Sequence, residues 1–468
     1  MDRDTLAAMA TPPGTGGIAI LRISGPAAFP VLERLFVPGS ALPAADSARP
    51  PLNLRPRRLY FGHALDREGQ VLDQVLAVRM PGPCSATGED VAEIHCHGGQ
   101  GIAAALLEGC LAAGARLAGP GEFTRRAFLN GRLDLTQAEA VAEIISASSR
   151  EGIRLAQAKL EGLLGRKIAA LRADLDGLRQ TIILAVDFPE EQGEVFDRPA
   201  FAAVLARTGA DIRALLDAFR RARLWREGAR AVLLGRVNAG KSSLFNALLG
   251  RRRAIVSDQP GTTRDYIEET VSLEGLPVRL TDTAGLRPAE DGIEMEGISL
   301  SRRLAQEADC LLLVVDCCQG LSGEERDFLA AHEEAVSSGR VLLALNKADR
   351  TKDRPPLARH SLPEGCPAFV VSALEGEGLS ELARGIRQAV QSREPDAGDL
   401  APNMRQAGLL ETALEELTAL AEDAQRGLPP DILGVRLDAA VDALDEVTGG
   451  SGTEELLDRI FASFCIGK

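Results

Sequence analysis

The chain has 468 residues, 45% hydrophobic and 26% charged, with a net charge of −14 and a pI near 5.1. That length allows about three domains, and the acidic balance excludes a chain that coats nucleic acid non-specifically, which needs clustered Lys and Arg. No apolar run approaches the roughly 20 residues of a membrane span, and Met1-Asp2-Arg3-Asp4 lacks the basic and apolar regions of a signal peptide, so a cytoplasmic protein with no membrane anchor is expected.

Residues 1–119 mix short β-like runs (17–23, 71–79, 91–96) with turn residues and a Pro-rich stretch at 43–56, which predicts an α+β domain. From 121 to 188 there is no proline, and Leu135, Ala138, Val141 and Ile145, then Leu160, Leu163, Leu164, Ile168, Leu171, Leu175 and Leu178, recur at helical steps. This spacing predicts long amphipathic helices, ended by Asp187-Phe188-Pro189, and a further helix over 199–223. Strands alternate with helices from 229 to about 390, the pattern of a parallel α/β sheet. The tail from 403 returns to helix, with Leu409, Leu410, Leu414 and Leu417 on one face and a solvated acidic face opposite. The expected architecture is an α+β domain at 1–119, a helical bundle made of 120–222 and 389–468, and an α/β domain at 223–388 inserted between the two helical parts.

Within the α/β domain, Gly235-Arg236-Val237-Asn238-Ala239-Gly240-Lys241-Ser242 fits the phosphate-binding pattern G-x-x-x-x-G-K-S. Glycines let backbone N–H groups curl around phosphate oxygens, and a helix starting near Lys241 aims its positive end at them. Lys241 supplies a charge to the β- and γ-phosphates and Ser242 a hydroxyl to Mg²⁺. Asn238, Ala239, Gly240, Lys241, Ser242 and Ser243 are the candidate contacts. Asp282-Thr283-Ala284-Gly285 follows a strand at 278–281 and puts a carboxylate near the Mg²⁺ shell. Asn346-Lys347-Ala348-Asp349 ends a strand at 341–345; a carboxylate there accepts from the N1–H and amine of guanine, donors that adenine lacks. Ser372-Ala373-Leu374 closes over the base. These elements stand at strand carboxyl ends, where open α/β sheets bind ligands, and together they predict a site for GTP and GDP.

Ser257, Asp258, Gln259, Pro260, Gly261, Thr262 and Thr263 form a candidate switch loop between the first helix and a hairpin (266–273, 277–282). Leu286 stands after Asp-Thr-Ala-Gly, where Ras-like proteins carry a water-orienting Gln. Asn238, inside the phosphate loop, has a side-chain oxygen able to hold a cation.

These features, with the rest of the chain, resemble the bacterial tRNA-modification GTPase family MnmE (TrmE). The likeness is carried by residues 4–14 and 16–25, by Thr87-Gly88-Glu89-Asp90-Val91 and the following residues to Gly99, by 120–130, and most specifically by the ending Phe464-Cys465-Ile466-Gly467-Lys468. Ala86 and Val237 depart from the family's usual aromatic and Pro. The resemblance implies a homodimer with a folate-binding-like α+β domain, a helical bundle and an inserted Ras-like P-loop GTPase domain. It implies work with an FAD-containing partner, MnmG (GidA), in a heterotetramer or larger complex. The product would be an aminomethyl or carboxymethylaminomethyl group on C5 of the wobble uridine (position 34) of certain tRNAs. It further implies a K⁺ ion, held by Asn238, Ser257, Gln259 and Thr262, in place of an arginine finger. Thr263 would join Ser242 on Mg²⁺, and Glu294 would orient the attacking water, although a solvated charge is the plain reading of Glu294. The one-carbon donor would be 5-formyl- or methylene-tetrahydrofolate, bound at Arg22, Glu93, Arg132 and Lys468.

Cys465 stays open between thiolate catalysis and a buried structural thiol. A zinc site at His95-Cys96-His97 is disfavoured, because strand alternation sends Cys96 to the face opposite the two histidines. The other cysteines (Cys84, Cys96, Cys110, Cys310, Cys317, Cys318 and Cys366) have no repeated spacing and read as reduced thiols. A ribosome-assembly or RNA-remodelling GTPase shares the nucleotide motifs and is the alternative function. A dinucleotide oxidoreductase using Gly14-Thr15-Gly16-Gly17 fails, since that run precedes its strand and opens no helix.

Overall fold

The computed structural model describes residues 4–39, 52–188, 197–251, 267–282, 307–351, 365–390 and 400–468. Internal contacts divide the chain into two compact units, one of Met1–Ala142, Ala158–Ile212 and Met404–Lys468, the other of Glu143–Gln157 and Arg213–Asn403.

In the first unit a seven-stranded sheet runs β3-β4-β5-β6-β2-β1-β7. Its strands are β1 (Leu6–Met9), β2 (Gly16–Ser24), β3 (Phe36–Pro38), β4 (Tyr60–Leu65), β5 (Val71–Met80), β6 (Val91–Gly98) and β7 (Arg116–Leu117). All pairs are antiparallel except β1 with β7. Alternation along β2 and β6 buries Leu21, Ile23, Ile94 and Cys96 in a core with Val31, Leu32, Leu35 and Leu106 from the helices Ala28–Leu35 and Gln100–Ala112. The same alternation leaves Arg22 and Glu93 directly opposite each other across the β2–β6 ladder on the other face.

After the helix Glu122–Leu129, the proline-free stretch from Leu135 is broken twice, giving helices Leu135–Ser146, Arg150–Leu160 and Leu163–Asp187. Gly162, at φ 77°, turns the chain before the third. The third helix buries Leu164, Ile168, Leu171, Leu175 and Leu178 and packs with Pro430–Thr448, which packs in turn with Met404–Gln425. The buried face of Met404–Gln425 is Gln406, Ala407, Leu410, Ala413, Leu417 and Leu420, so small and polar residues share a stripe expected to be leucines. Gln406 belongs there because Glu139, itself buried, accepts from it and from Nε and Nη2 of Arg405 at 2.7 and 2.9 Å, a charge-assisted fork.

In the second unit a six-stranded sheet runs β13-β12-β11-β8-β10-β9: β8 (Ala229–Leu234), β9 (Ile267–Leu273), β10 (Leu276–Asp282), β11 (Cys310–Asp316), β12 (Val341–Asn346) and β13 (Ala368–Val370). It is parallel apart from the edge strand β9. Near-continuous apolar runs such as Cys310–Asp316, buried throughout, are what a parallel sheet covered on both faces requires. Glu274 and Gly275, at φ 49° and 85°, make the two-residue turn of the β9–β10 hairpin. The helix Arg198–Glu227 precedes β8.

Candidate functional site

The loop after β8 carries Gly235 at φ 134°, Asn238 at 65° and Gly240 at 95°, and the helix Lys241–Arg251 opens straight after it. A Cβ on Gly235 would overlap the Val314 carbonyl, and one on Gly240 the Asn346 amide, so both glycines are set by close backbone approach. Lys241 folds over the loop, its ammonium donating to the carbonyls of Gly235 at 2.6 Å and Arg236 at 2.9 Å. Burial pulls its pKa below the ordinary lysine value, against the pull of Asp282 and Glu325. The Ser242 hydroxyl donates to Asp282 Oδ2 at 2.7 Å. Two hard oxygen donors therefore sit side by side at the head of the loop, the donor type that magnesium takes.

Two further motif residues meet this loop from the end of β12, and Asp349 lies just beyond them. Asn346 donates its amide to the carbonyl of Ala239 at 3.1 Å, and its Oδ1 accepts from the Ala373 N–H at 3.1 Å. Lys347, in the left-handed region at φ 69°, donates to the carbonyl of Asn238 at 2.6 Å and to Asp316 at 2.8 Å. Asp349 Oδ1 accepts from the Ser372 hydroxyl at 2.7 Å, and Ala348 N–H donates to the Val371 carbonyl. Leu374 is 84% exposed. Asn238, Ala239, Gly240, Lys241, Ser242, Ser243, Asp282, Asn346, Lys347, Ala348, Asp349, Ser372, Ala373 and Leu374 are thus gathered at the carboxyl ends of β8, β10 and β12 and in the segment after β13. Ser257, Asp258, Gln259, Pro260, Gly261, Thr262, Thr263, Thr283, Ala284, Gly285, Leu286 and Glu294 lie outside the described residues.

Sequence reasoning passed over Asp316. It ends β11, is 4% exposed, and grips Lys347. Burial alone would raise its carboxyl, but hydrogen bonds from Lys347 and the Cys318 amide outweigh that and hold it below the usual range. The available signal was a carboxylate closing an otherwise apolar strand.

On the first unit's sheet, Arg22 Nε donates to Glu93 at 2.8 Å, the other Glu93 oxygen lies 3.2 Å from His95 Nε2, and the Arg22 guanidinium sits 5.8 Å from the Phe123 ring centre. The carboxyl-terminal tail reaches this group. Arg22 approaches the Gly467 carbonyl at 3.5 Å, and the Lys468 carbonyl accepts from Phe123 N–H at 3.2 Å. Gly467, at φ 91°, leaves no room for a Cβ beside Met9. His95 and Phe123 join the predicted pair Arg22 and Glu93. Arg132 is exposed after the helix Glu122–Leu129, and no hydrogen bond joins it to Glu93. The Cys465 thiol is exposed. His95, Cys96 and His97 take separate partners: Glu93, the Ala19 carbonyl and Asp73.

Behind this group Arg126, 7% exposed, binds Asp4 and Glu89, while Arg116 binds Asp4 and Glu122. The network ties β1 to the helix that carries Phe123.

The family model described as GTP-binding protein TrmE N-terminus matches residues 5–132, and that described as MnmE helical domain matches 135–465. The chain is 54% identical over 469 residues, 99% of both chains, to the tRNA modification GTPase MnmE of Nitratidesulfovibrio vulgaris (strain DP4). It is 44% identical over 470 residues to that of Lawsonia intracellularis, covering 99% of this chain and 100% of the relative. Among solved structures, the G domain of the T. maritima FeoB iron transporter is 30% identical over 35% of this chain and 99% of its own, with a TM-score of 0.26. No helix among the described residues is long and apolar enough to cross a membrane.

Proposed function

This chain belongs to the MnmE (TrmE) family of tRNA modification GTPases, and from that premise we propose that its GTP hydrolysis is K⁺-stimulated and drives modification of the wobble uridine (position 34). The group added at C5 is of the aminomethyl or carboxymethylaminomethyl type, its carbon comes from a tetrahydrofolate one-carbon unit, and an FAD-containing MnmG partner shares the chemistry with a homodimer of this chain.

The observation that carries the nucleotide half is the convergence on one loop of Lys347, Asn346 and Asp282, through Asn238, Ala239 and Ser242 respectively. Lys241, held now by the loop's own carbonyls, would turn to the β- and γ-phosphates, and Asn238, exposed at a left-handed turn, would lie beside them. Asp349 would accept from guanine, freed for that by rotation of the Ser372 hydroxyl. Ser242 and Asp282 would hold Mg²⁺, and Asn238 the monovalent ion. When bound, the two ions offset negative charge that builds on the phosphates in the transition state. Thr263, Ser257, Gln259, Thr262 and Glu294 complete this assignment by family likeness.

The folate half rests on Arg22, Glu93, His95 and Phe123 around the carboxyl-terminal Lys468. Glu93 offers a carboxylate to a pterin's amine and N3–H, and the Phe123 ring an apolar surface beside it. Arg132 and Lys468 supply charge for a glutamate tail. Cys465, an exposed thiol, is the candidate for thiolate chemistry in this assignment.

Mass spectrometry of wobble uridines tests the whole reading in cells lacking this gene, rescued with wild type or Asp349→Asn. Loss of the C5 group, restored by wild type alone, is expected. Intact modification with altered ribosomal subunit profiles would instead favour the assembly GTPase.

A further inference from the structure

Cys317 and Cys318 follow Asp316 at the end of β11, and nothing in the nucleotide chemistry uses them. Cys317 is 5% exposed, whereas Cys318 reaches the surface. Their sulfurs and a carboxylate oxygen of Asp316 all lie within 4.8 Å of one another. A tetrahedral ion with metal–sulfur bonds of about 2.3 Å sets its ligands roughly 3.5–3.8 Å apart, so small side-chain rotations close the set. Two soft sulfurs with one oxygen select zinc-like d¹⁰ cations over magnesium or calcium.

The position of this triad gives it a consequence. Among the described residues, the Lys347 ammonium donates to Asp316 and to the Asn238 carbonyl. Cys317 N–H donates to the Asn346 carbonyl at 3.0 Å, and Arg236 of the phosphate loop donates to the Gly320 carbonyl at 2.9 Å. The short loop 316–320 is therefore tied to the phosphate loop and to both Asn346 and Lys347.

We propose that Asp316, Cys317 and Cys318 form a binding site for a soft divalent cation of the zinc and cadmium class, whose occupation weakens guanine-nucleotide binding by competing with Lys347 for Asp316. On binding, two metal–sulfur bonds and one metal–oxygen bond form, the two thiol protons pass to solvent, and no electrons are transferred. The coupling rests on reading Lys347 as part of the base site. It is reciprocal: bound GDP weakens the ion by the same factor, of about tenfold.

The test uses the full-length reduced protein and Cd²⁺ alone, followed by the sulfur-to-cadmium charge-transfer band, with GDP affinity read from a fluorescent analogue. Wild type should give a saturable band and bind GDP about tenfold more weakly with the ion bound. Cys317→Ser/Cys318→Ser should lose both effects while keeping its ion-free GDP affinity. Cys318→Ser, altered only at the surface, should weaken the band should the double variant fail to fold. An undiminished band in these variants would place cadmium on other thiols, such as exposed Cys84 or Cys465, and overturn the site. A cysteine-dependent band with unchanged GDP affinity would overturn the competition. Lys347→Ala separates the two failures, since unaltered GDP binding there sinks the base-site reading itself.

Discussion

The ammonium of Lys347 donates to the backbone carbonyl of Asn238 at 2.6 Å, joining the base-reading motif to the phosphate loop at its left-handed turn. Asp316 fixes the other side of the same ammonium. Removing it with Lys347→Ala deletes two contacts of a charged donor, each of about 1.5–3 kcal/mol. GDP should therefore bind roughly 10–100-fold more weakly, by equilibrium titration with a fluorescent analogue. An affinity within twofold of wild type would show that the bridge is idle.

Base choice rests on Asp349, placed by the Ser372 hydroxyl. Asp349→Asn exchanges an acceptor for a mixed donor and acceptor and should turn preference from guanine toward xanthine, by roughly 100-fold or more in relative affinity. Competition between GDP and XDP measures it, and an unchanged preference would refute the assignment.

The network that anchors β1 predicts acid sensitivity. Burial alone would raise the carboxyls of Asp4 and Glu122, but Arg116, with Arg126, outweighs it and holds both below their ordinary values of 3.8 and 4.5. Lowered carboxyls contribute stability that is full above the ordinary values and is lost as pH falls through the folded ones. Tm measured from about pH 6 to about pH 3 should fall less steeply in Asp4→Asn/Glu122→Gln than in wild type. Parallel curves would show that these groups do not carry the dependence.

Glu93, held between Arg22 and His95, should bind 5-formyltetrahydrofolate. Calorimetry should show binding by wild type and at least roughly tenfold weaker binding by Glu93→Gln, as expected on losing one charged hydrogen bond. No heat with wild type would remove the folate assignment.

The α/β part was legible because each element is local. An apolar run, a glycine at a positive φ and a motif at a strand's end lie within a few residues of one another, as in Ala231 to Ser242. Gly17 to Ile23 likewise announced β2. The strands β1, β3 and β7, of four residues or fewer, gave no periodicity, and the break at Gly162 carried no proline. Asp316 left one signal, a carboxylate closing an apolar strand, and His95 another, its place two residues from Glu93 on one strand face. Phe123 left none, because its role arises from contact with the distant tail at Lys468, which no spacing encodes.

The most direct test of the proposed mechanism is GTP turnover by wild type and Asn238→Ala in KCl against NaCl at equal ionic strength. The cation site predicts that wild type turns over much faster in potassium and that Asn238→Ala loses this difference while still binding GDP. Equal wild-type rates in the two salts, or a potassium effect that survives the substitution, would contradict it.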